Sequence, residues 1–126
     1  MALPQSVLVV DDEAHIRVIL QRILTAMGIP YVHVAENGRE ACDMYSQFKC
    51  ELVVMDINMP VMTGTEAVAR IRAEDPDAKV IMLTSLASRR AVEQSAEAGA
   101  MDYLRKDLPL EQLKIRLREA IEEAFE

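Results

Sequence analysis

The chain has little of three things that would define a function class: cysteine, net positive charge and long apolar runs. Its two cysteines, Cys42 and Cys50, form no CxxC pair and no cysteine–histidine ligand set, so we expect reduced thiols and no zinc site. The net charge of −7 disfavours nonspecific nucleic-acid binding but suits a divalent cation or a basic partner surface. No apolar run approaches the length of a membrane span, and the N-terminus lacks the basic region of a signal peptide. We therefore expect a cytoplasmic protein that binds neither nucleic acid nor membrane directly.

The length and composition favour one globular domain. The 126 residues are 51% hydrophobic and 28% charged, which is an ordinary balance for a folded domain. A core of normal size can form without disulfides or a structural metal. We found no linker, internal repeat or low-complexity segment, so we expect a single domain over residues 1–126.

Short apolar runs alternate with helical stripes along the whole chain. Five segments are typical of strands: Val7–Val10, Tyr31–Ala35, Leu52–Met55, Val80–Leu83 and Met101–Leu104. A helical pattern follows each one; it is weakest near Ser88 to Ala98, and the last helix-forming segment is Leu110–Glu126. Such alternation predicts an α/β fold, a doubly wound parallel sheet with helices on both faces.

Glu36 and Asn37, after the second predicted strand, are less distinctive than the polar residues that follow the other four. The latter are Asp11, Asp12 and Glu13 after the first strand, Asp56 after the third, Thr84 and Ser85 after the fourth, and Lys106 after the fifth. Ligands of open parallel sheets bind beyond the carboxyl ends of the strands, so these side chains would share one site if their strands were neighbours. Crowded carboxylates repel unless a cation lies among them, and Mg²⁺ with oxygen ligands fits best. Lys106 and Thr84 would then face a bound anion.

Each of these residues also has an ordinary explanation. Asp11 or Asp12 could cap the next helix, and Asp56 could be a turn aspartate. Thr84 could be a helix cap, and Lys106 could be one more surface lysine. What favours a shared site is that all of them occur at successive strand ends.

Four segments carry a resemblance to a known family. They are VLVVDDE (residues 7–13), VVMDINMPVMTG (53–64), VIMLTS (80–85) and AGAMDYLRKD (98–107). Their order and spacing resemble those of two-component response regulator receiver domains, in particular the stand-alone chemotaxis type. The resemblance implies a flavodoxin-like (βα)5 fold with a parallel five-stranded sheet in the order 2-1-3-4-5.

The resemblance also implies a role for each site residue. Asp56 matches the phosphoacceptor, which takes a phosphoryl group from a histidine kinase or a small donor. Asp12 matches the direct Mg²⁺ ligand, Asp11 acts through water, and Asp56 and the backbone carbonyl of Asn58 complete the protein ligands. Mn²⁺ would be an acceptable substitute for Mg²⁺. The only catalysis implied is the self-catalysed phosphorylation and dephosphorylation of Asp56, so the protein is not expected to be an enzyme in the usual sense.

Further residues match the parts that bind and sense the phosphoryl group. Lys106 matches the lysine that binds phosphoryl oxygen, Thr84 the switch hydroxyl and Tyr103 the switch aromatic. Asn58 and Leu86 match the positions that tune dephosphorylation, and because Leu86 has no polar group to position water, we expect slow self-dephosphorylation. Asp107 follows Lys106 where many receivers have proline, so we expect a trans peptide there.

The implied partners are a sensor histidine kinase or histidine phosphotransfer protein upstream and an effector of unknown identity downstream. Phosphorylation would change the surface around helix 4, strand 5 and helix 5. A homodimer that forms on phosphorylation is a further possible assembly.

Three other functions compete with this one. A flavin-binding module would need a hydroxyl- and glycine-rich loop after the first strand, where the chain has three acids. A haloacid-type phosphatase uses Asp-x-Asp, and here Asn58 stands at the second position, where it cannot donate a proton. A phosphorylation-independent receiver-like scaffold ranks low because every acidic and lysine position is present.

Overall fold

A computed structural model describes residues 3–85 and 89–126 of the chain. The five strands are β1 Ser6–Val10, β2 Tyr31–Ala35, β3 Leu52–Asp56, β4 Val80–Thr84 and β5 Asp102–Arg105. All neighbouring strands are parallel, and their order across the sheet is β2-β1-β3-β4-β5. The predicted fold class and strand order are therefore confirmed.

One helix follows each strand. The helices are α1 Ala14–Ala26, α2 Gly38–Phe48, α3 Gly64–Glu74, α4 Arg89–Ala98 and α5 Leu110–Ala124. Gly28, with φ of 99°, lies just beyond α1 and supplies the left-handed conformation that stops the helix there. The predicted end of the last helix at Glu126 lies two residues beyond the observed end, and Ser88, the predicted start of the fourth helix, is outside the described residues.

The sheet separates two apolar layers because alternate strand residues face opposite sides. On β3, Val53 and Met55 pack with α2 and α3, whereas Leu52 and Val54 pack with α1 and α5. The strands β1, β3 and β4 are buried along almost their whole length, which explains their continuous apolar sequences. The edge strand β2 is partly exposed.

The cysteines and the peptide bond after Lys106 are as the sequence predicts. Cys42 and Cys50 are both free thiols, as predicted. Among the described residues no peptide bond is cis, so the bond between Lys106 and Asp107 is trans, as predicted. None of the helices in the described part of the chain is both long and apolar enough to span a membrane.

Candidate functional site

Backbone hydrogen bonds extend the sheet slightly beyond its strands and fix the residues at its carboxyl edge. The amide of Asp11 donates to the carbonyl of Ala35 (3.2 Å), and the amide of Lys106 donates to the carbonyl of Thr84 (2.9 Å). Asp56 is the last residue of β3. Because β1, β3, β4 and β5 are successive neighbours in the sheet, the predicted site residues meet at one edge.

The ammonium of Lys106 joins three carboxylates at this edge. Its Nζ lies 2.8 Å from Glu13 Oε1, 3.1 Å from Asp11 Oδ2 and 3.1 Å from Asp56 Oδ2. The side chains of Lys106, Asp11 and Asp56 are almost fully buried, whereas that of Glu13 is 44% exposed. Glu13 therefore lies on the solvent side of a buried charge cluster.

Burial and like charge shift the pKa values in this cluster. Burial raises the pKa of Asp56 to about 6, with a further increase from the charge of Asp11 and a partial decrease from Lys106. Burial also raises the pKa of Asp11. Burial alone would lower the pKa of Lys106, but its hydrogen bonds to Glu13 and Asp56 raise that pKa well above its ordinary value. A single lysine therefore leaves the buried carboxylates incompletely neutralised.

Three of the carboxylates are arranged to share a cation. Asp11, Asp12 and Asp56 each offer an oxygen, and these oxygens all lie within 4.8 Å of one another. Asp12 is exposed, so the cluster opens to water on that side. A few carboxylate oxygens with access for retained waters is the donor set that suits Mg²⁺. The residues present therefore fit the predicted metal, and the raised pKa values show why a cation would be favourable there.

The loop between β3 and α3 holds Asp56 from its C-terminal side. The amide of Gly64 donates to the carbonyl of Ile57 (2.8 Å), and any Cβ at Gly64 would collide with the carbonyl oxygen of Asp56. Within the loop Val61 has φ of 72°, and the amide of Met62 donates to the carbonyl of Pro60 (2.8 Å). This is a γ-turn with positive φ, a rare and strained conformation for a β-branched residue.

Comparison with known proteins agrees with this fold. A family model described as "Response regulator receiver domain" matches residues 7–118. Over 100 residues the chain is 40% identical to a chemotaxis protein CheY of Thermotoga maritima, covering 79% of this chain and 83% of that protein. The chain belongs to the response regulator receiver family.

Solved receiver structures are similar along most of the chain. The chemotaxis protein CheY4 of Vibrio cholerae has a TM-score of 0.83 and 32% identity, covering 91% of this chain and 97% of that one. A chain of the CheX–CheY–BeF3–Mg²⁺ complex of Borrelia burgdorferi has a TM-score of 0.83 and 29% identity, covering 90% and 87%. Receiver domains are signalling domains and not classical enzymes. The function of this chain is phosphoacceptor signalling, and the flavin-binding, phosphatase and scaffold functions are not favoured.

The remaining predicted site residues are Thr84, Asn58, Tyr103 and Leu86. Thr84 ends β4 and is buried. The amide of Asn58 lies 3.4 Å from Asp56 Oδ1 as a weak donor, and its side chain is exposed. Tyr103 in β5 pairs with Met82 and is 40% exposed, in a groove between α4 and β5. Leu86, predicted to tune dephosphorylation, lies outside the described residues.

Two residues of the site were not predicted from the sequence. Glu13 was noted only as an acid after the first strand, but it makes the shortest of the Lys106 contacts. Arg17 on α1 donates a hydrogen bond from Nη1 to the carbonyl of Asp11 (2.7 Å). This hydrogen bond connects the loop after β1 with the helix that follows. The sequence gives only one indication that Glu13 and Arg17 belong to the site, which is that both lie within a few residues of the Asp11–Asp12 pair.

Proposed function

We propose that Asp56 is the phosphoacceptor of this receiver. The observation that carries the proposal is a buried carboxylate with its pKa raised to about 6, 3.1 Å from a lysine ammonium and within 4.8 Å of two further carboxylates. An oxygen of ionised Asp56 attacks phosphorus and forms a P–O bond. The bond from phosphorus to the leaving group breaks, and the leaving group departs with the electron pair. Water later cleaves the acyl phosphate, which returns inorganic phosphate and the free carboxylate.

Asp11, Asp12, Asp56 and the backbone carbonyl of Asn58 would hold Mg²⁺, for which Mn²⁺ can substitute. When bound, this ion supplies positive charge to carboxylates and phosphoryl oxygens that would otherwise repel. Lys106 then provides a second cation, and its burial makes its interaction with a phosphoryl oxygen stronger than a solvent-exposed lysine could offer.

The residues proposed to bind the phosphoryl group and respond to it are Thr84, Tyr103 and Lys106. The Thr84 hydroxyl would donate to it, and Tyr103 would turn from its half-exposed position towards the space that Thr84 vacates. The surface formed by α4, β5 and α5 would change in consequence. Asn58 and Leu86 would set the lifetime of the phosphoryl group.

A histidine kinase or a histidine phosphotransfer protein is the proposed donor, and the changed surface is proposed to bind an effector or a second copy of the chain. The Borrelia burgdorferi complex joins CheY of that organism to CheX, which is a precedent for binding a partner protein. A single domain over residues 1–126, a cytoplasmic location and the absence of direct nucleic-acid or membrane binding stay predictions from the sequence.

Intact-protein mass spectrometry after incubation with acetyl phosphate tests the assignment. Wild type with MgCl₂ should gain one phosphoryl adduct, and the adduct should be lost with a chelator. The Asp56→Asn variant should gain none. The matched control is Asp75→Asn, which alters a partly buried aspartate that accepts a hydrogen bond from Tyr45 away from the site. An adduct that persists in Asp56→Asn would refute the assignment of the phosphoacceptor.

A further inference from the structure

Glu13 completes the coordination of the Lys106 ammonium. An ammonium has three N–H donors, and Lys106 has three carboxylate neighbours within hydrogen-bond distance. Two of these, Asp11 and Asp56, are buried, whereas Glu13 covers the side that faces solvent. An incoming phosphoryl oxygen can therefore accept a hydrogen bond from Lys106 only if one carboxylate releases it.

The local structure directs the Glu13 side chain towards Lys106 and away from its own helix. Glu13 is the N-cap residue of α1, yet its side chain makes no capping hydrogen bond. Its amide donates to Asp11 Oδ1 (2.8 Å), which fixes the backbone next to the cluster. A side chain at a position that ordinarily caps the helix thus contacts a lysine 93 residues away in sequence.

Glu13 is also the carboxylate that can leave most easily. Its side chain is far more exposed than those of Asp11 and Asp56, so water can solvate it after it separates from Lys106. The cation-sharing group consists of Asp11, Asp12 and Asp56, so Asp11 and Asp56 have a second use in the site. Of the three partners of Lys106, Glu13 is therefore the one that a phosphoryl oxygen would displace.

We propose that Glu13 is a positioning residue that holds Lys106 in the unphosphorylated site and slows phosphorylation by competing for its ammonium. The proposal rests on the proposed function of Asp56. While Glu13 is paired, it restrains Lys106 and places negative charge in the path of an anionic donor. Removing that charge frees one N–H of Lys106 for a phosphoryl oxygen and lowers the repulsion that the donor meets. Lys106 stays anchored by Asp11 and Asp56.

The test compares the phosphorylation rates of wild type, Glu13→Gln and Glu74→Gln with acetyl phosphate and MgCl₂. Glu74 is the matched control because it is 43% exposed and pairs with Lys49 at 2.6 Å, far from the site in the α2–α3 layer. At low ionic strength Glu13→Gln should react about fivefold faster, as expected for removing one like charge about 4 Å from the donor in water. Glu74→Gln should react at the wild-type rate.

Three further readouts separate this role from a purely structural salt bridge. The increase in phosphorylation rate of Glu13→Gln over wild type should become smaller as salt is added, because salt screens the repulsion between Glu13 and the donor in wild type. It should also be smaller with phosphoramidate, which carries less negative charge than acetyl phosphate at neutral pH. Glu13→Asp, which keeps the charge, should react more slowly than Glu13→Gln.

The outcomes distinguish this proposal from the proposed function. If wild type forms the adduct and Glu13→Gln forms it at the same rate or more slowly, the role of Glu13 is refuted and the assignment of Asp56 stands. A rate gain that is equal at low and high salt would also overturn the electrostatic explanation. If wild type forms no adduct under any of these conditions, both proposals fail.

Discussion

The substitution Asp56→Asn should make the metal-free protein more stable while abolishing phosphorylation. Asp56 is 2% exposed and lies beside buried Asp11, so its charge is destabilising in the folded state. In the unfolded chain both carboxylates are fully hydrated and far apart, and the destabilisation disappears. An asparagine has nearly the same shape, and its side-chain oxygen can still accept a hydrogen bond from Lys106.

The magnitude follows from the pKa of Asp56. Folding raises this pKa from its ordinary value of 3.8 to about 6, which corresponds to a destabilisation of about 3 kcal/mol when the group is ionised in both states. This value already includes the favourable contact with Lys106, because the hydrogen bond and charge of Lys106 lower the pKa below what burial alone would give. We therefore expect the Asp56→Asn substitution to increase the free energy of unfolding by about 3 kcal/mol at neutral pH.

The sign of the pH dependence is the opposite of the usual behaviour of an ion-paired carboxylate. Because the folded pKa lies above the unfolded one, the destabilisation is complete above about pH 6 and is relieved as the pH falls from there towards 3.8. From about pH 7.5 to about pH 5 this one group should stabilise wild type by about 1.4 kcal/mol. The advantage of Asp56→Asn should shrink by the same amount.

Urea unfolding in the presence of a chelator measures the difference in unfolding free energy between wild type and Asp56→Asn. Measuring it at both pH values shows how that difference changes with pH. Asp75→Asn is the matched control, since the pKa of Asp75 is lowered, chiefly by the hydrogen bond from Tyr45, and its loss should destabilise the protein. Adding MgCl₂ should stabilise wild type much more than Asp56→Asn, because a ligand of the folded state raises its stability. A variant less stable than wild type at neutral pH, or a difference that does not change with pH, would refute the reasoning.

Three other substitutions test the loop after β3 and a hydrogen bond between α2 and the C-terminal end of α3. Gly64→Ala should lower the free energy of unfolding, measured in urea, by more than about 3 kcal/mol, because its Cβ would collide with the Asp56 carbonyl oxygen. A decrease below about 1 kcal/mol would mean that the loop moves aside easily. Val61→Gly should raise the free energy of unfolding by about 1 kcal/mol, since φ of 72° strains a β-branched residue and Val61 is 78% exposed; a decrease would contradict the assigned strain. Tyr45→Phe should lower Tm by several degrees by removing the 2.6 Å hydrogen bond to Asp75. Because the Asp75 pKa is lowered, that difference should diminish in acid, and a pH-independent loss would point to packing instead.

The fold was predictable because burial leaves a direct pattern in these strands. β1, β3 and β4 are covered by helices on both faces, so they are continuously apolar and end where the first polar residue appears. The fifth strand was predicted one residue too early, at Met101–Leu104, whereas the observed strand is Asp102–Arg105. Met101 does donate from its amide to the carbonyl of Val80, but its side chain is 47% exposed. An apolar residue at the sheet margin was therefore read as part of the strand.

The strand order could not be obtained from the residues alone. Alternating strands and helices favour parallel pairing, but they do not say on which side of β1 the second strand lies. The order came from the resemblance to receivers, and the sheet has that order. The residues alone predict a shared site only on the condition that the strands followed by polar residues are neighbours in the sheet.

The partners within the site were less predictable than its members. Asp11, Asp56 and Lys106 are placed by strand ends, and strand ends are visible in the sequence. The contact of Lys106 with Glu13 depends on the torsions of a helix N-cap, and the γ-turn at Val61 depends on a loop pinned by the Gly64 amide. Neither leaves a periodic pattern, because the first joins residues that are 93 apart in sequence and the second depends on backbone torsions within one loop.

Several features that oppose folding in this receiver lie at one edge of the sheet. Buried like charges, the positive φ of Val61 and the close approach of Gly64 to Asp56 all lie beyond or at the carboxyl ends of strands whose bodies are well packed. The repulsion is useful because a cation or a phosphoryl-bearing ligand with its cation can relieve it only by binding there. A version of this site with its charges fully paired by the protein would be more stable and would have less free energy to gain from Mg²⁺. Instability at this edge and affinity for the ion are therefore consequences of the same unbalanced carboxylates.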